Sequence, residues 1–549
     1  MLRGRIDEAD RTRLRGWALD ETHPNRPATL LVTLNGSLLG RLVANRFRPD
    51  LRDAGIGDGR HGFELRFETP LSPLVPHLLR ITDELDGSEL DRSPFLIEPA
   101  DRLDASALRR LETLLADDLD DPLRLDERLD FLINQVDRLL SRRARSAGDP
   151  VRAWRAARTE PAAGPGSIPT PPPAGTTRPL ALAIDEVMPD ADRDAGSNAL
   201  LSHLASLRRL GHRVLFAPAE RASATPVLLQ ALARRQIGAC AAPHYASVEE
   251  ALLRHGPELS LVYLHRASTA ARYVRLARHH APRARIVVSV ADLQHLRLHR
   301  QATHERSEPM LAAARALAVA ELRTLAEADA VLTHSRAEAS ILSRALPPDR
   351  PVHRALWSVP ARPVSTPFAD RAGVALLADY AHAPNRDAAR RLVGEIMPLV
   401  WEHEPTLPCL LAGSRLPPDL VPAGDPRVVP VGHVPVLSAL FERIRLSVAP
   451  LAFGAGVKGK LLHSLAAGIP CACSPVAAEG LDLPAPLSGL VADDTHGLAR
   501  LIIRLHRDPE LNARCAAAAL AWAGDELSEV RLDAVLADAC TLPAPTAGR

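Results

Sequence analysis

"RLSVAPLAFGAGVKGKLLHSLAAGIP", Arg445–Pro470, is the stretch on which the reading of the fold turns. It opens as a short apolar strand, passes through Gly454, Gly456 and Gly459, and continues as a helix with Gly468 as its C-cap. Lys458 and Lys460 are the only lysines among 67 basic residues. In such a strand, loop and helix, bare backbone amides can approach an anion, and the helix start adds its positive end. Two compact ammonium groups on flexible stems complete a phosphate cradle by type. The plainer alternative is a Gly-rich connector with solvated lysines.

Gly454–Lys460 also satisfies the G-x-x-x-x-G-K pattern of nucleotide triphosphatases. Leu461 follows, where magnesium coordination needs a Ser or Thr hydroxyl, and this argues against that class.

The same texture extends outward on both sides. "LALAID", "RVLFAP", "LSLVYLH", "RIVVSVAD" and "AVLTHS" are short apolar strands separated by helical stretches. After a Pro-rich crossing at 360–367 the pattern restarts with "GVALLAD", "PCLLAGS", "RVVPVGH", "RLSVAP" and "PCACSP". Strands that are apolar throughout and alternate with amphipathic helices predict parallel sheets buried on both faces. The expectation is an α/β chain with two Rossmann-like domains, 179–364 and 365–525, ligands lying beyond the carboxyl ends of the strands.

Residues 1–98 read differently. "ATLLVTLNGSLLGRLVA" has two apolar runs around Asn35-Gly36, which predicts a hairpin with a type I′ turn. "GDGRHGFELRF" adds a Gly-punctuated turn and the alternation Phe63, Leu65, Phe67. A small all-β, sandwich-like accessory domain is expected there. Trp17 is either a sugar-stacking platform or core filler, and an amphipathic strand favours the core. Residues 99–149 carry leucines at helical spacing and read as a helical spacer. Residues 150–178 form a Pro-rich linker, and 526–549 a C-terminal helix and tail.

At 549 residues the chain suits about three or four domains of the usual size. A net charge of +1 gives no bulk field toward nucleic acid, and no nucleic-acid partner is expected. The N-terminus has no apolar signal segment, and no run of roughly 18 apolar residues exists. Six scattered cysteines without a C-x-x-C fit a reduced, cytoplasmic chain. Peripheral contact with a membrane stays open. His295, His299 and His304 invite a metal reading, but no third ligand stands at zinc spacing and no metal is expected. "RHHAPRAR", from Arg278, reads as a solvated basic loop rather than a contact to an anionic lipid-linked acceptor.

From about Leu180 to Gly524 the sequence resembles glycosyltransferase family 4-like proteins of the GT-B fold. The resemblance lies in an ordered series: "IDEVMPDADRDAGSNALLSHLASLRRLGHRV", "LHRASTAARYVRLARHHAPRARIVVSVADLQHLR", "HAPNRDAARRL", "LSVAPLAFGAGVKGKLLHSLAAGIP", "VAAEGL" and "HRDPELNARCAAAALAWA". It implies transfer of a sugar from a nucleotide-sugar donor, bound by the C-terminal Rossmann-like domain, to a glycan or lipid-linked acceptor. It further implies surface polysaccharide or lipopolysaccharide assembly, a retaining outcome, no metal dependence and no cofactor, the nucleotide-sugar being a substrate. The expected setting is cytoplasmic, with peripheral contact at the inner membrane as a variant.

Carried over by position, Gly196 is the glycine whose backbone approaches the donor phosphates. Gly454, Gly456 and Gly459 belong to the donor loop, and Lys458 and Lys460 stabilise charge on the leaving diphosphate. Asp292, at a strand end, is the one candidate base, with helix capping as its alternative. Members of the family commonly carry two glutamates across this loop and helix, the second gripping the donor ribose. The matching positions here are Ala455 and His463. A neutral imidazole accepts one hydroxyl but not two hydrogen bonds as a carboxylate does. Glu479 is a candidate substitute. The departure raises a second expectation, a catalytically impaired GT-B protein acting as a glycan- or nucleotide-binding scaffold.

Overall fold

The computed structural model describes residues 2–24, 26–99, 178–191, 194–220, 223–421 and 424–541. The readings of 100–149 as helical and of 150–177 as linker lie outside the described residues.

The chain divides into two compact units, Met1–Thr177 and Arg178–Arg549. In the first, β1 (Leu2–Ala9), β2 (Arg13–Asp20) and β5 (Gly62–Arg66) form one antiparallel sheet. β3 (Ala28–Leu34), β4 (Ser37–Ala44), β6 (His77–Asp83) and β7 (Phe95–Ile97) form another, and a short helix α1 (Pro49–Asp53) bridges β4 and β5 in sequence. Period-two alternation puts Leu30, Val32 and Leu34 of β3 inward, against Ile6, Leu14 and Phe63 of the opposite sheet. Asn35 and Gly36, at φ 52° and 83°, make the two-residue turn that the hairpin requires. Trp17 is buried with Leu19, Leu51 and Ile56, so it is core filler and not a platform for sugar.

The second unit has two parallel α/β lobes. The first lobe runs β8 (Leu180–Asp185), α2 (Ala195–Arg209), β9 (Arg213–Pro218), α3 (Pro226–Arg234), β10 (Gly238–Ala239), α4 (Val248–His255) and β11 (Leu259–His265). It continues through α5 (Ala267–His280), β12 (Arg285–Val290), α6 (Gln294–Glu305), α7 (Glu308–Ala326), β13 (Ala330–Thr333), α8 (Arg336–Ala345) and β14 (Val352–Arg354). The second lobe runs β15 (Val374–Leu377), α9 (Ala383–Arg391), α10 (Met397–Trp401), β16 (Cys409–Ala412), β17 (Val428–Gly432), α11 (Leu437–Phe441), β18 (Leu446–Ala449), α12 (Gly459–Ala466), β19 (Cys471–Cys473), α13 (Pro475–Ala478) and α14 (Thr495–Arg507). Then α15 (Pro509–Glu526) and α16 (Glu529–Cys540) close the chain. Sheet orders are β10-β9-β8-β11-β12-β13-β14 and β17-β16-β15-β18-β19. This is the α/β, two-lobed GT-B architecture that the strand pattern and the resemblance called for.

Each sheet reverses its strand order once, between β8 and β11 in the first lobe and between β15 and β18 in the second. Such switch points open a crevice at the carboxyl ends of the strands. α2 leaves β8 at one crevice, and the Gly-rich loop leaves β18 at the other. The last helix, α16, returns to the first lobe, where Leu532, Leu536 and Ala539 join the core around Leu200, Leu204 and Phe216.

Candidate functional site

The loop from β18 ends at Lys458, the N-cap of α12, and the lysine side chain makes no capping hydrogen bond. The Leu461 amide bonds the Lys458 carbonyl at 2.8 Å, and the two amides before it, of Gly459 and Lys460, receive no acceptor from the cap side chain. In the first lobe, Asp194 caps α2 by accepting from the Ser197 amide at 2.7 Å. The two helix starts touch. A Cβ added to Gly459 would lie 2.8 Å from Ala195 Cβ and 3.4 Å from Trp357 Cζ2. Gly459 is therefore glycine because a second helix end occupies the space. Two positive macrodipole ends abut, with Asp194 offsetting part of one, and that arrangement favours an anion beside them.

The first lobe also grips the loop directly. Gly456, at φ +68°, donates its amide to Glu338 Oε1 at 2.8 Å, and a Cβ there would stand 2.8 Å from Asp292 Cβ. Glu338 is fully buried and also accepts from Thr333 Oγ1 at 2.8 Å. Burial pushes its carboxyl above the usual range. The Gly454 carbonyl accepts from Arg300 Nη1 at 2.7 Å. The same guanidinium clasps both oxygens of Glu479 at 2.6 and 2.7 Å.

Both lysines face this seam and not bulk solvent. Lys458 Nζ donates to the Ala455 and Gly456 carbonyls at 2.5 Å, and burial pushes it down to about 8. Lys460 Nζ donates to Asn385 Oδ1 at 2.7 Å. Burial, and then the charge of Lys458, push it down to about 7. His463 stands one turn further along α12, half-buried, its imidazole likewise lowered by burial.

The structure thus gathers Asp292, Gly454, Gly456, Lys458, Gly459, Lys460 and Glu479 at one interlobe seam, with Gly196 at the facing helix start. Gly196 has a cause the sequence did not suggest: a Cβ there would stand 3.0 Å from Arg266 Nη2. Arg266 Nη1 is 2.8 Å from both oxygens of the buried Asp185, and Arg266 itself sits at φ 72°, where a non-glycine residue is strained. Asp292 does not cap α6. It pairs with Arg297 at 2.9 Å, whereas Glu321 of α7 accepts from the Gln294 and His295 amides at 3.2 Å each. His295 Nδ1 bonds the same Glu321 at 2.5 Å. Glu479, read as a ribose ligand, has both oxygens engaged by Arg300.

Sequence reasoning missed Arg266, Arg300, Glu321, Glu338 and Asn385. Glu338 had a local signal, Ser335 three residues earlier as in a capping box, and Ser335 does accept from the Glu338 amide at 3.4 Å. That signal announces a helix start and says nothing of a partner in the other lobe.

Residues 374–508 match the family model described as "Glycosyl transferases group 1". No curated protein sequence matches the chain. Among solved structures, Anabaena HepE in complex with UDP-glucose aligns at 16% identity and a TM-score of 0.49, covering 65% of this chain and 98% of its own. A glycosyltransferase from Rickettsia africae ESF-5 aligns at 11% identity and 0.45, covering 66% and 98%. A mutant of the Thermobaculum terrenum O-GlcNAc transferase aligns at 14% and 0.44, covering 66% and 67%. Residues 374–508, the lobe that carries the Gly-rich loop and both lysines, are a group 1 glycosyl transferase domain.

Proposed function

We propose that the chain transfers a sugar from a nucleotide-sugar donor to a glycan or lipid-linked acceptor, with the donor diphosphate seated where α2 and α12 meet. The observation that carries this reading is the contact of Gly459 with Ala195, which brings two helix starts together beside Lys458 and Lys460. A diphosphate there meets amides, macrodipoles and ammonium groups, the components that stabilise negative charge on a departing nucleoside diphosphate. These cations supply positive charge of the kind a metal ion would supply, which supports turnover without a metal. Asp292, oriented by Arg297 beside Gly456, is the candidate group facing the acceptor. The acceptor class, a role in surface polysaccharide assembly, a retaining outcome, a cytoplasmic setting and peripheral membrane contact follow from the resemblance.

The test is turnover with a panel of UDP-, GDP- and CDP-sugars and mixed glycan acceptors. Transfer by the wild type, and its loss in K458A/K460A, is the expected result. Equal transfer by the double variant would remove the role given to the loop.

A second reading, a scaffold that binds nucleotide or glycan without turnover, is favoured by Ala455 and His463 and by the engagement of Glu479 with Arg300. Donor binding with no acceptor modified supports it. Higher activity in His463→Glu would mark the chain instead as a weakened enzyme.

A further inference from the structure

We propose that Asn385 is a positioning residue for Lys460: a neutral amide fixes the ammonium at the loop while leaving its charge for the diphosphate. The proposal rests on the reading of the loop as a diphosphate site. It begins from a difference between the cations of the seam. Three arginines of the seam face carboxylates: Arg300 with Glu479 at 2.6 Å, Arg266 with Asp185 at 2.8 Å, Arg297 with Asp292 at 2.9 Å. The lysines do not. Lys458 is held by two main-chain carbonyls and Lys460 by an amide oxygen, and among the described residues no carboxylate pairs with Lys460.

The amide is fixed at its other end. Asn385 Nδ2 donates to the Asp379 carbonyl at 2.8 Å. A flipped amide would set an NH₂ against the ammonium and a carbonyl against a carbonyl, so Oδ1 must face Lys460. Asn385 stands in the first turn of α9, its own amide bonded to the His382 carbonyl at 3.1 Å. The nearby acid, Asp379, is turned elsewhere: its Oδ1 accepts from Arg415 Nε at 2.9 Å and from the Ala381 amide at 3.1 Å. A carboxylate at position 385, 2.7 Å from Nζ, would form an ion pair and cancel the charge that the loop presents. An alanine there would leave the charge but release the ammonium from its place.

The experiment is calorimetric titration of the full chain with UDP, GDP and CDP between about pH 6 and 9, using wild type, K460A, N385D and N385A. Melting curves without ligand report folding. Wild-type affinity should fall as the pH rises through the titration of Lys460. N385D should bind about tenfold or more weakly at low pH, with its fall-off moved to higher pH because the new carboxylate retains the lysine proton. N385A should bind about three- to tenfold more weakly. Should N385D melt at a much lower temperature, N385A carries the test alone. If K460A weakens binding while both Asn385 variants bind like wild type, the inference falls and the diphosphate site stands. A uniform loss in N385D without a shift in pH dependence makes Asn385 a packing residue and equally overturns it. If K460A itself binds like wild type, Lys460 has no part in binding the diphosphate, and the inference falls with it.

Discussion

A half-buried ammonium with no carboxylate against it costs the folded state stability, and Lys460 is such a group. Its folded value, about 7, lies below the ordinary 10.5, so between those values the unfolded chain binds the extra proton. Stability from this residue is therefore least below about pH 7 and recovers as the pH rises toward 10.5. Lys460→Met, similar in length and uncharged, should raise the melting temperature at pH 7, the gain shrinking toward pH 10.5, while nucleoside diphosphate affinity drops. A lower melting temperature at pH 7 would show that the charge is already compensated. The lysines were legible in the sequence because the chain uses arginine everywhere else. Their surroundings were not. Asn385 lies 75 residues from Lys460, Glu338 lies 118 from Gly456, and Glu479 lies 179 from Arg300. Contacts of that separation, the first within the second lobe and the other two between lobes, exist only in the folded chain, and no local pattern announces them.

The elements tell a different story at their own scale. Interior strands such as Leu180–Asp185 and Leu259–His265 were readable to the residue, because strands covered on both faces are predominantly apolar. The edge strands Gly238–Ala239 and Val352–Arg354 escaped, being two and three residues long and only partly buried. The glycines were legible as a loop, but the reason for each was not. Gly454 and Gly456 meet a backbone demand, φ 145° and 68°, whereas Gly459 yields space to a helix start in the other lobe. Gly459→Ala tests that distinction. With no positive φ to strain, the added methyl acts by pushing α2 and α12 apart. Secondary structure should persist, with a stability loss of about 1–3 kcal/mol from overpacking. Nucleoside diphosphate affinity should fall about tenfold. Unchanged affinity would mean that the two helix ends do not share a ligand.

At the scale of the whole molecule, the second unit is closed by contacts that run from lobe to lobe. Arg300 binds both Glu479 and the Gly454 carbonyl, and α16 crosses back to complete the first-lobe core. Both partners of the Arg300–Glu479 pair are about a quarter exposed, 26% each, so Glu479→Gln should cost only about 1 kcal/mol in thermal melts. A loss several times larger would mark the pair as the main tie between the lobes. The front sandwich has its own core, and every residue of the candidate site lies within Arg178–Arg549. A chain beginning at Arg178 should therefore keep the nucleoside diphosphate affinity of the full chain; a large loss would assign the front unit a part in the site.

The most direct measurement is calorimetric titration of the full chain at about pH 6.5 with UDP, GDP and CDP, in wild type and in K458A/K460A. Each lysine lost removes a charge-assisted contact of about 1.5–3 kcal/mol. The expected result is saturable binding of at least one nucleoside diphosphate by the wild type, weakened about 100-fold or more in the double variant. Equal affinity in the two proteins would contradict the assignment of the Gly-rich loop as the seat of the diphosphate.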